Sequence, residues 1–295
     1  MHFKDLLSAK GINPSSVLVL RHRPAEVKLN KIFLWLAAER PDLFNAFQRS
    51  HSGNEKVERA VEKANYIAAF IGHEPTKAIF IGLYSNKGAK SVSREDFWKI
   101  QANIELQSLG MNGFHENIPR SSCLWFDLEH ADFYNHWKGK LVVDWPPLDR
   151  SWYRWAHKDK NAMPVHAILS QNALDGPIKH WQEIDLSWQE LSVIPAPLKS
   201  KLSEWRGVYY IFDTSDGKGY VGSAGGSFNL LGRWRNYADS GHGGNSLLRQ
   251  RDHKNFRFSI LQRVSPDLEI AELVALENSW KDRLHTRAPY GLNDN

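Results

Sequence analysis

Short apolar runs and stretches of helical periodicity alternate along the first two thirds of the chain. Val17-Leu18-Val19-Leu20 is a compact apolar run that reads as a strand. Phe3 to Ala9 reads as a short helix. Leu29 to Ala38 repeats apolar residues at helical spacing, and Pro41 to Phe47 opens a second helix with proline in its first turn. Tyr66 to Gly72 and Lys77 to Tyr84 are strand-like, with the turn-rich Gly72-His73-Glu74-Pro75 between them. Ser93 to Leu109 reads as one helix, capped by Ser93 and stopped by Gly110. Leu141 to Trp145 and Val165 to Leu169 are further strands. The pattern predicts a mixed α/β front domain with a curled sheet or small barrel.

The same signals reappear in the tail. Gly207 to Phe212 and Gly219 to Ser223 are strands joined by Asp213-Thr214-Ser215-Asp216-Gly217-Lys218, whose short polar side chains and glycine suit a turn. Leu230 to Asp239 reads as a helix, Asn255 to Leu261 alternates like a strand, and Pro266 to Leu284 reads as a long helix. That last helix starts acidic, at Asp267 and Glu269, and ends basic, at Lys281 and Arg283, which suits its dipole. Between front and tail, Val193-Ile194-Pro195-Ala196-Pro197-Leu198-Lys199-Ser200-Lys201 is expected to be an extended, stiff connection. This divides the α+β chain into residues 1–195, a specificity domain, and 205–295, a small antiparallel sheet flanked by helices.

Composition narrows the classes. At 42% hydrophobic and 24% charged, the 295-residue chain has the makeup of a soluble globular protein. No apolar run reaches the roughly 18 residues that span a bilayer, and no signal-peptide core follows Met1, so a cytoplasmic protein without a membrane partner is expected. The single cysteine, Cys123, excludes an internal disulfide framework and a thiolate metal cluster. The net charge of +5 permits a polyanionic partner without identifying one. Ten of the 12 tryptophans precede residue 206, so the two parts of the chain carry different aromatic loads.

The chemistry sits in the tail. Gly207-Val208-Tyr209 and Tyr220-Val221-Gly222 place two tyrosines on one hairpin, eleven positions apart, and Arg233, Tyr237, Glu277 and Asn293 follow. Singly, each is an ordinary strand, helix or surface residue. As an ordered set, from about residue 205 to 295, they resemble the GIY-YIG nuclease superfamily, which includes homing endonucleases, restriction enzymes and a repair nuclease. The resemblance implies a catalytic set of Tyr209, Tyr220, Arg233, Tyr237, Glu277 and Asn293. One of the first two phenols acts as, or orients, the base for the attacking water, and which one is left open. Arg233 neutralises transition-state charge, since a guanidinium holds two phosphate oxygens and stays charged. Tyr237, one turn later, engages the phosphate or the water. Glu277 binds the divalent metal, Mg²⁺ with Mn²⁺ able to substitute, and Asn293 braces the site. Tyr220 to Arg233 is thirteen residues, a few more than in compact members. Gly225-Gly226-Ser227-Phe228-Asn229 reads as a small insertion, and Ser223 and His242 stand where some members place a second basic group.

Arg235, His242, Arg249, Arg251, Lys254 and Arg257 form a basic stretch beside this set, opposed within it only by Asp239 and Asp252. It is expected to grip the phosphates of double-stranded DNA. In the front domain, Trp145, Trp152, Tyr153 and Trp155 interleave with arginines and form a candidate base pocket, with core packing as the plainer reading. Ile67 to Gly72 and Ala78 to Tyr84 are read as a small barrel floor. The expected function is a metal-dependent DNA endonuclease that restricts foreign DNA in phage defence, with base-modified DNA as a candidate substrate and a homodimer as the candidate form on DNA. A homing or repair endonuclease and a non-cleaving reader of modified nucleic acid are the alternatives.

Overall fold

The computed structural model describes residues 1–72, 74–145, 152–159, 162–176, 180–225, 229–240 and 243–294. Two compact units emerge, Met1–Gly176 and Pro177–Asn295. The division falls upstream of the proline-rich stretch expected to hold it.

The first unit is a curled half-barrel sheet with helices. Its strands are β1 (Val17–His22), β2 (Tyr66–Gly72), β3 (Lys77–Ser93), β4 (Ser122–Ala131), β5 (Leu141–Asp144), β6 (Tyr153–Trp155) and β7 (Val165–Ile168). They run in the order β6-β1-β2-β3-β5-β7, with β4 also paired to β3. β3 is the spine: its start pairs with β5 and its later part, from Leu83 to Ser93, with β4. Register shifts between Ala69 and Phe70 and between Asn86 and Ala89 bend the ribbon, as extra residues in a ladder do. The sequence expectation for β3 stopped at Tyr84 because its polar second half, Ser85-Asn86-Lys87-Gly88, carries no apolar signal.

The expected barrel floor is a packed core. Phe70 of β2 and Phe80 of β3 lie 5.4 Å apart between ring centres, and Phe3 of α1 (Phe3–Ala9) stands edge-on to Phe70 at 5.1 Å. Phe133 closes the group against Phe80 at 5.8 Å. All four rings are fully buried, the arrangement that large apolar side chains favour. Helices α2 (Val27–Glu39), α3 (Pro41–Gln48), α4 (Glu55–Glu62), α5 (Arg94–Phe97) and α6 (Gln101–Ser108) complete the unit. The single helix expected from Ser93 to Leu109 is two. Ser93 does cap α5, its Oγ accepting the Asp96 N–H at 3.0 Å, but the backbone turns extended at Ile100 before α6 begins.

The second unit carries a four-stranded antiparallel sheet in the order β10-β9-β11-β8. Its strands are β8 (Asp185–Ser187), β9 (Arg206–Asp213), β10 (Gly219–Ala224) and β11 (Phe256–Val264). Helices α7 (Trp188–Ser192), α8 (Ala196–Glu204), α9 (Leu230–Ser240) and α10 (Ile270–Arg283) surround it. The expected stiff linker is corrected here: Pro195 is the N-cap of α8 and Pro197 sits in its first turn, where a missing N–H costs nothing. Val193, Ile194, Leu198 and Leu202 are buried, so this stretch is part of the packed unit. No helix among the described residues is long and apolar enough to cross a membrane.

Candidate active site in the C-terminal unit

Antiparallel pairing of β9 with β10 sets Tyr209 opposite Gly222 and Ile211 opposite Tyr220. A Cβ on Gly222 would stand 2.5 Å from the Tyr209 hydroxyl, so a bare backbone is what lets that phenol cross the neighbouring strand. From α9, Tyr237 meets both: Tyr209 Oη donates to Tyr237 Oη at 3.2 Å, and Tyr237 Oη donates to Tyr220 Oη at 3.0 Å. Three hydroxyls thus form one hydrogen-bonded chain drawn from two strands and a helix. Tyr209 and Tyr237 are buried, and Tyr220 is partly accessible. Gly243, at φ +52°, lies against the Tyr237 ring and holds it from the far side.

Burial pushes the Tyr209 hydroxyl well above the usual phenol range, with the two neighbouring phenols adding to the effect and Arg233 opposing it. Burial likewise raises Tyr220, reinforced by Tyr237 and by the charge of Glu277, again against Arg233. Both phenols are therefore neutral at neutral pH, and more positive charge than Arg233 supplies is needed before either gives up its proton.

Glu277 enters from α10, which packs on β10 and β9. Its Oε1 accepts from Lys281 Nζ, one turn later, at 2.9 Å, and its Oε2 accepts from the hydroxyl of Ser223 at the end of β10. Lys281 is 2% exposed. A buried ammonium beside a carboxylate fixes the acid in one orientation. Asn293 closes the far end. Its Oδ1 accepts the Val221 N–H at 3.0 Å and its Nδ2 donates to the Val221 carbonyl at 2.8 Å. One side chain thereby clamps the residue between Tyr220 and Gly222.

Tyr209, Tyr220, Ser223, Arg233, Tyr237 and Glu277 line a single cleft of about 320 Å³, together with Asn245 and Asp294. The Asp294 carboxylate accepts from Ser246 Oγ at 2.8 Å and from Asn245 Nδ2 at 3.3 Å. The donors are carboxylate, hydroxyl and amide oxygens, and no group of three or more His, Cys, Asp or Glu gathers among the described residues. Two carboxylates, Glu277 and Asp294, with room for water suit a hard cation that keeps most of its hydration shell, as Mg²⁺ does. Ser223, Lys281, Asn245 and Asp294 were not assigned roles from sequence. The i,i+4 spacing of Glu277 and Lys281 was a visible signal for one of them.

The expected DNA-binding cations divide. Arg235, Arg249 and Lys254 are exposed. Arg251 instead bridges Asp213 and Asp216 across the hairpin turn, both at 2.8 Å. Arg257 forks onto Asp185 of β8, at 2.6 and 3.1 Å. The stretch is thus more closely opposed than its own two aspartates implied, because the partners come from elsewhere in the chain. His242 lies outside the described residues, as does much of the inserted loop at 226–228. Burial raises the Asp213 carboxyl, but hydrogen bonds from Ser215 and Arg251 outweigh it and hold the group below its usual value of 3.8. A depressed folded-state value adds stability above the unfolded-state value, and that stability is lost as the pH falls through the folded one. Arg251→Ala is therefore expected to destabilise the unit by about 3 kcal/mol at neutral pH, because it strands a buried carboxylate. The loss should begin to shrink as the pH falls below about 4, where the unfolded chain protonates Asp213, and should vanish below the lower folded-state value. Urea titrations of both proteins at pH 7 and pH 3.5 read it directly.

Residues 206–290 match the family model of the GIY-YIG catalytic domain. The match covers the C-terminal third of the chain, and no family model matches the N-terminal part. No curated protein and no solved structure gives a significant match. The C-terminal third thus carries a GIY-YIG catalytic domain, which indicates a nuclease of the endonuclease type; members of that family act on DNA and generally depend on divalent metal.

Proposed function

We propose that the protein is a Mg²⁺-dependent endonuclease of double-stranded DNA, and that it restricts foreign DNA. The observation that carries the cleavage reading is the one cleft in which three linked phenols, a guanidinium and a clamped carboxylate face each other. Glu277 would hold the metal, with waters completing its shell. The bound ion would supply positive charge to the phosphate and lower the pKa of a coordinated water.

The chain's own groups do the rest. Arg233 holds two phosphate oxygens and compensates the charge that builds as the nucleophile approaches. Tyr220 is the partly accessible phenol of the three, so it is the one we assign to the attacking water. Tyr209 and Tyr237 fix its hydroxyl through their hydrogen bonds. Lys281 and Ser223 orient Glu277, and Asn293 keeps the Tyr220 strand in register. Arg235, Arg249 and Lys254 would follow the DNA backbone. Cutting both strands with one such cleft needs a second copy or a second visit, which favours a homodimer on DNA.

A restriction role rests on the size of the first unit, 176 residues that are not needed to build the cleft. Incubation with plasmid, phage and modified-cytosine DNA, with Mg²⁺ or with EDTA, followed by sequencing of the ends, tests the whole reading. New ends at a defined motif in Mg²⁺ alone support it. Intact DNA with both Mg²⁺ and Mn²⁺ would leave a non-cleaving reader. Gly222→Ala checks the geometry: the new methyl must displace the Tyr209 phenol, and a shift near 1 Å at a reacting centre costs about 100-fold. We expect that loss in cleavage rate with an unchanged circular dichroism spectrum.

A further inference from the structure

The first unit contains a chamber of about 610 Å³ that the cleavage chemistry does not use. Its lining includes Phe47, Trp152, His22, His51 and Asn103, together with Arg21 and Arg23. The rings are arranged around the space. Trp152 lies 6.1 Å from the His22 ring and 5.6 Å from the His51 ring, and Phe47 meets the other side of His22 at 5.8 Å. Trp145 also lines the chamber, its ring covered by the Arg154 guanidinium at 4.8 Å. Tyr153 and Trp155, grouped with these residues by sequence, lie on β6 and outside the lining.

Four polar atoms of the lining stand out. Nε of Arg21, Nε2 of His22, Nε2 of His51 and Oδ1 of Asn103 are inaccessible to solvent and have no hydrogen-bond partner within the protein, while the His22 ring also has a hydrogen-bonding neighbour in the Gln48 side chain. His22 is 2% exposed and Asn103 1%. Unpaired polar atoms at such depth are costly, so each calls for a partner from outside the protein, a ligand or a water. The Asn103 amide is fixed in one sense, because its Nδ2 donates to the Phe97 carbonyl at 2.9 Å. Oδ1 is left as an acceptor awaiting a donor. Both imidazoles are neutral at physiological pH. Burial lowers His22 to about 4, and burial together with the nearness of His22 lowers His51 to about 3. Each neutral ring carries one donor and one acceptor.

We propose that this chamber receives one nucleobase turned out of a DNA strand, and that it selects a base carrying an exocyclic amino group. The proposal rests on the nuclease reading, which supplies DNA as the partner. Flat rings at several sides suit stacking on an aromatic base. The histidine Nε2 atoms read the polar edge of the base, and Asn103 Oδ1 accepts from its amino group. Thymine has no such group. Arg23, which lines the chamber and is exposed, is the cation available to the phosphates flanking an extruded nucleotide; Arg21 is held by the Glu74 and Lys77 carbonyls at 3.1 and 3.2 Å, and Glu26 is occupied by the Asn112 N–H at 2.9 Å. The volume lies within the range of about 300–1,000 Å³ that small-molecule sites occupy, which leaves room for a substituent on the base.

The test uses the full chain in EDTA, so that binding is read without cutting. Duplexes differ at one central base set opposite an abasic site, so that this unpaired base is the one most easily turned out: cytosine, 5-methylcytosine, 5-hydroxymethylcytosine, adenine, N6-methyladenine, guanine or thymine. At least one amino-bearing duplex should bind tenfold or more tighter than the thymine duplex, with a change in the protein's tryptophan fluorescence as the base meets Trp152. Asn103→Ala should reduce that preference below threefold. Trp152→Ala, at the partly exposed edge of the chamber, should do the same if the buried variant fails to fold. Binding of all duplexes within threefold with flat fluorescence would overturn the proposal. So would tightest binding of thymine, or free nucleoside monophosphates binding as tightly as DNA. Base-selective binding by a protein that never cuts would support the chamber and sink the nuclease reading, while unselective binding with normal Mg²⁺-dependent cutting would do the reverse.

Discussion

Glu277→Gln is expected to lower the rate of Mg²⁺-dependent DNA cleavage by about 1,000-fold or more while changing DNA affinity by less than about threefold. The substitution keeps the shape of the side chain: its one oxygen can still accept from Lys281 Nζ and its NH2 can donate to Ser223 Oγ, so folding should survive. What disappears is the negative charge that holds a divalent cation. Glu277→Ala is the harsher variant, because it leaves the buried Lys281 ammonium without this carboxylate. The loss of one member of a buried pair costs about 3–5 kcal/mol, so a dead alanine variant could merely be unfolded. Single-turnover cleavage with titrated Mg²⁺, alongside anisotropy in EDTA, separates the two effects. A glutamine variant that cuts within tenfold of the wild type would remove Glu277 as the metal-binding residue.

Arg233→Ala is expected to cost about 100- to 1,000-fold in cleavage rate, the usual effect of removing one preorganised group that meets developing charge. Arg233→Lys should recover only part of this. An ammonium restores the charge but not the planar fork that holds two oxygens together. The loss should fall mainly on the single-turnover rate and little on affinity, since Arg235, Arg249 and Lys254 are the exposed cations left for the DNA backbone. A variant that binds tenfold more weakly but cuts at the normal rate once saturated would make Arg233 a grip on ground-state DNA.

The hairpin and its helices were readable because their signals are local. A polar turn between two strands, apolar periodicity in α9 and α10, and matching charges at the ends of α10 each sit within about twenty residues. Five side chains of the cleft, Tyr209, Tyr220, Arg233, Tyr237 and Glu277, and Asn293, which braces β10 without lining the cleft, were readable as a set because a known family orders them the same way. Lys281 was within reach by spacing, though no pattern marks a buried lysine in advance. The chamber of the first unit was different. His22 ends β1, His51 follows α3, Asn103 lies on α6 and Trp152 precedes β6, so only the fold brings them together. The tryptophan-rich stretch did point to that region, but Tyr153 and Trp155 stand outside the lining. The proline-rich segment misled because Pro195 and Pro197 start a helix as readily as they stiffen a linker. The ion pairs of Arg251 and Arg257 were hidden for the same reason as the chamber: Asp213, Asp216 and Asp185 lie 35 to 72 positions away in the chain.

The most direct measurement is a crystal structure of the Glu277 wild-type protein with duplex DNA and Ca²⁺ in place of Mg²⁺. One ion should be bound to the Glu277 carboxylate, with a single phosphate held between that ion, the Arg233 guanidinium and a water on Tyr220. DNA seated elsewhere on the unit, or a phosphate in the cleft with the ion on other residues, would contradict it.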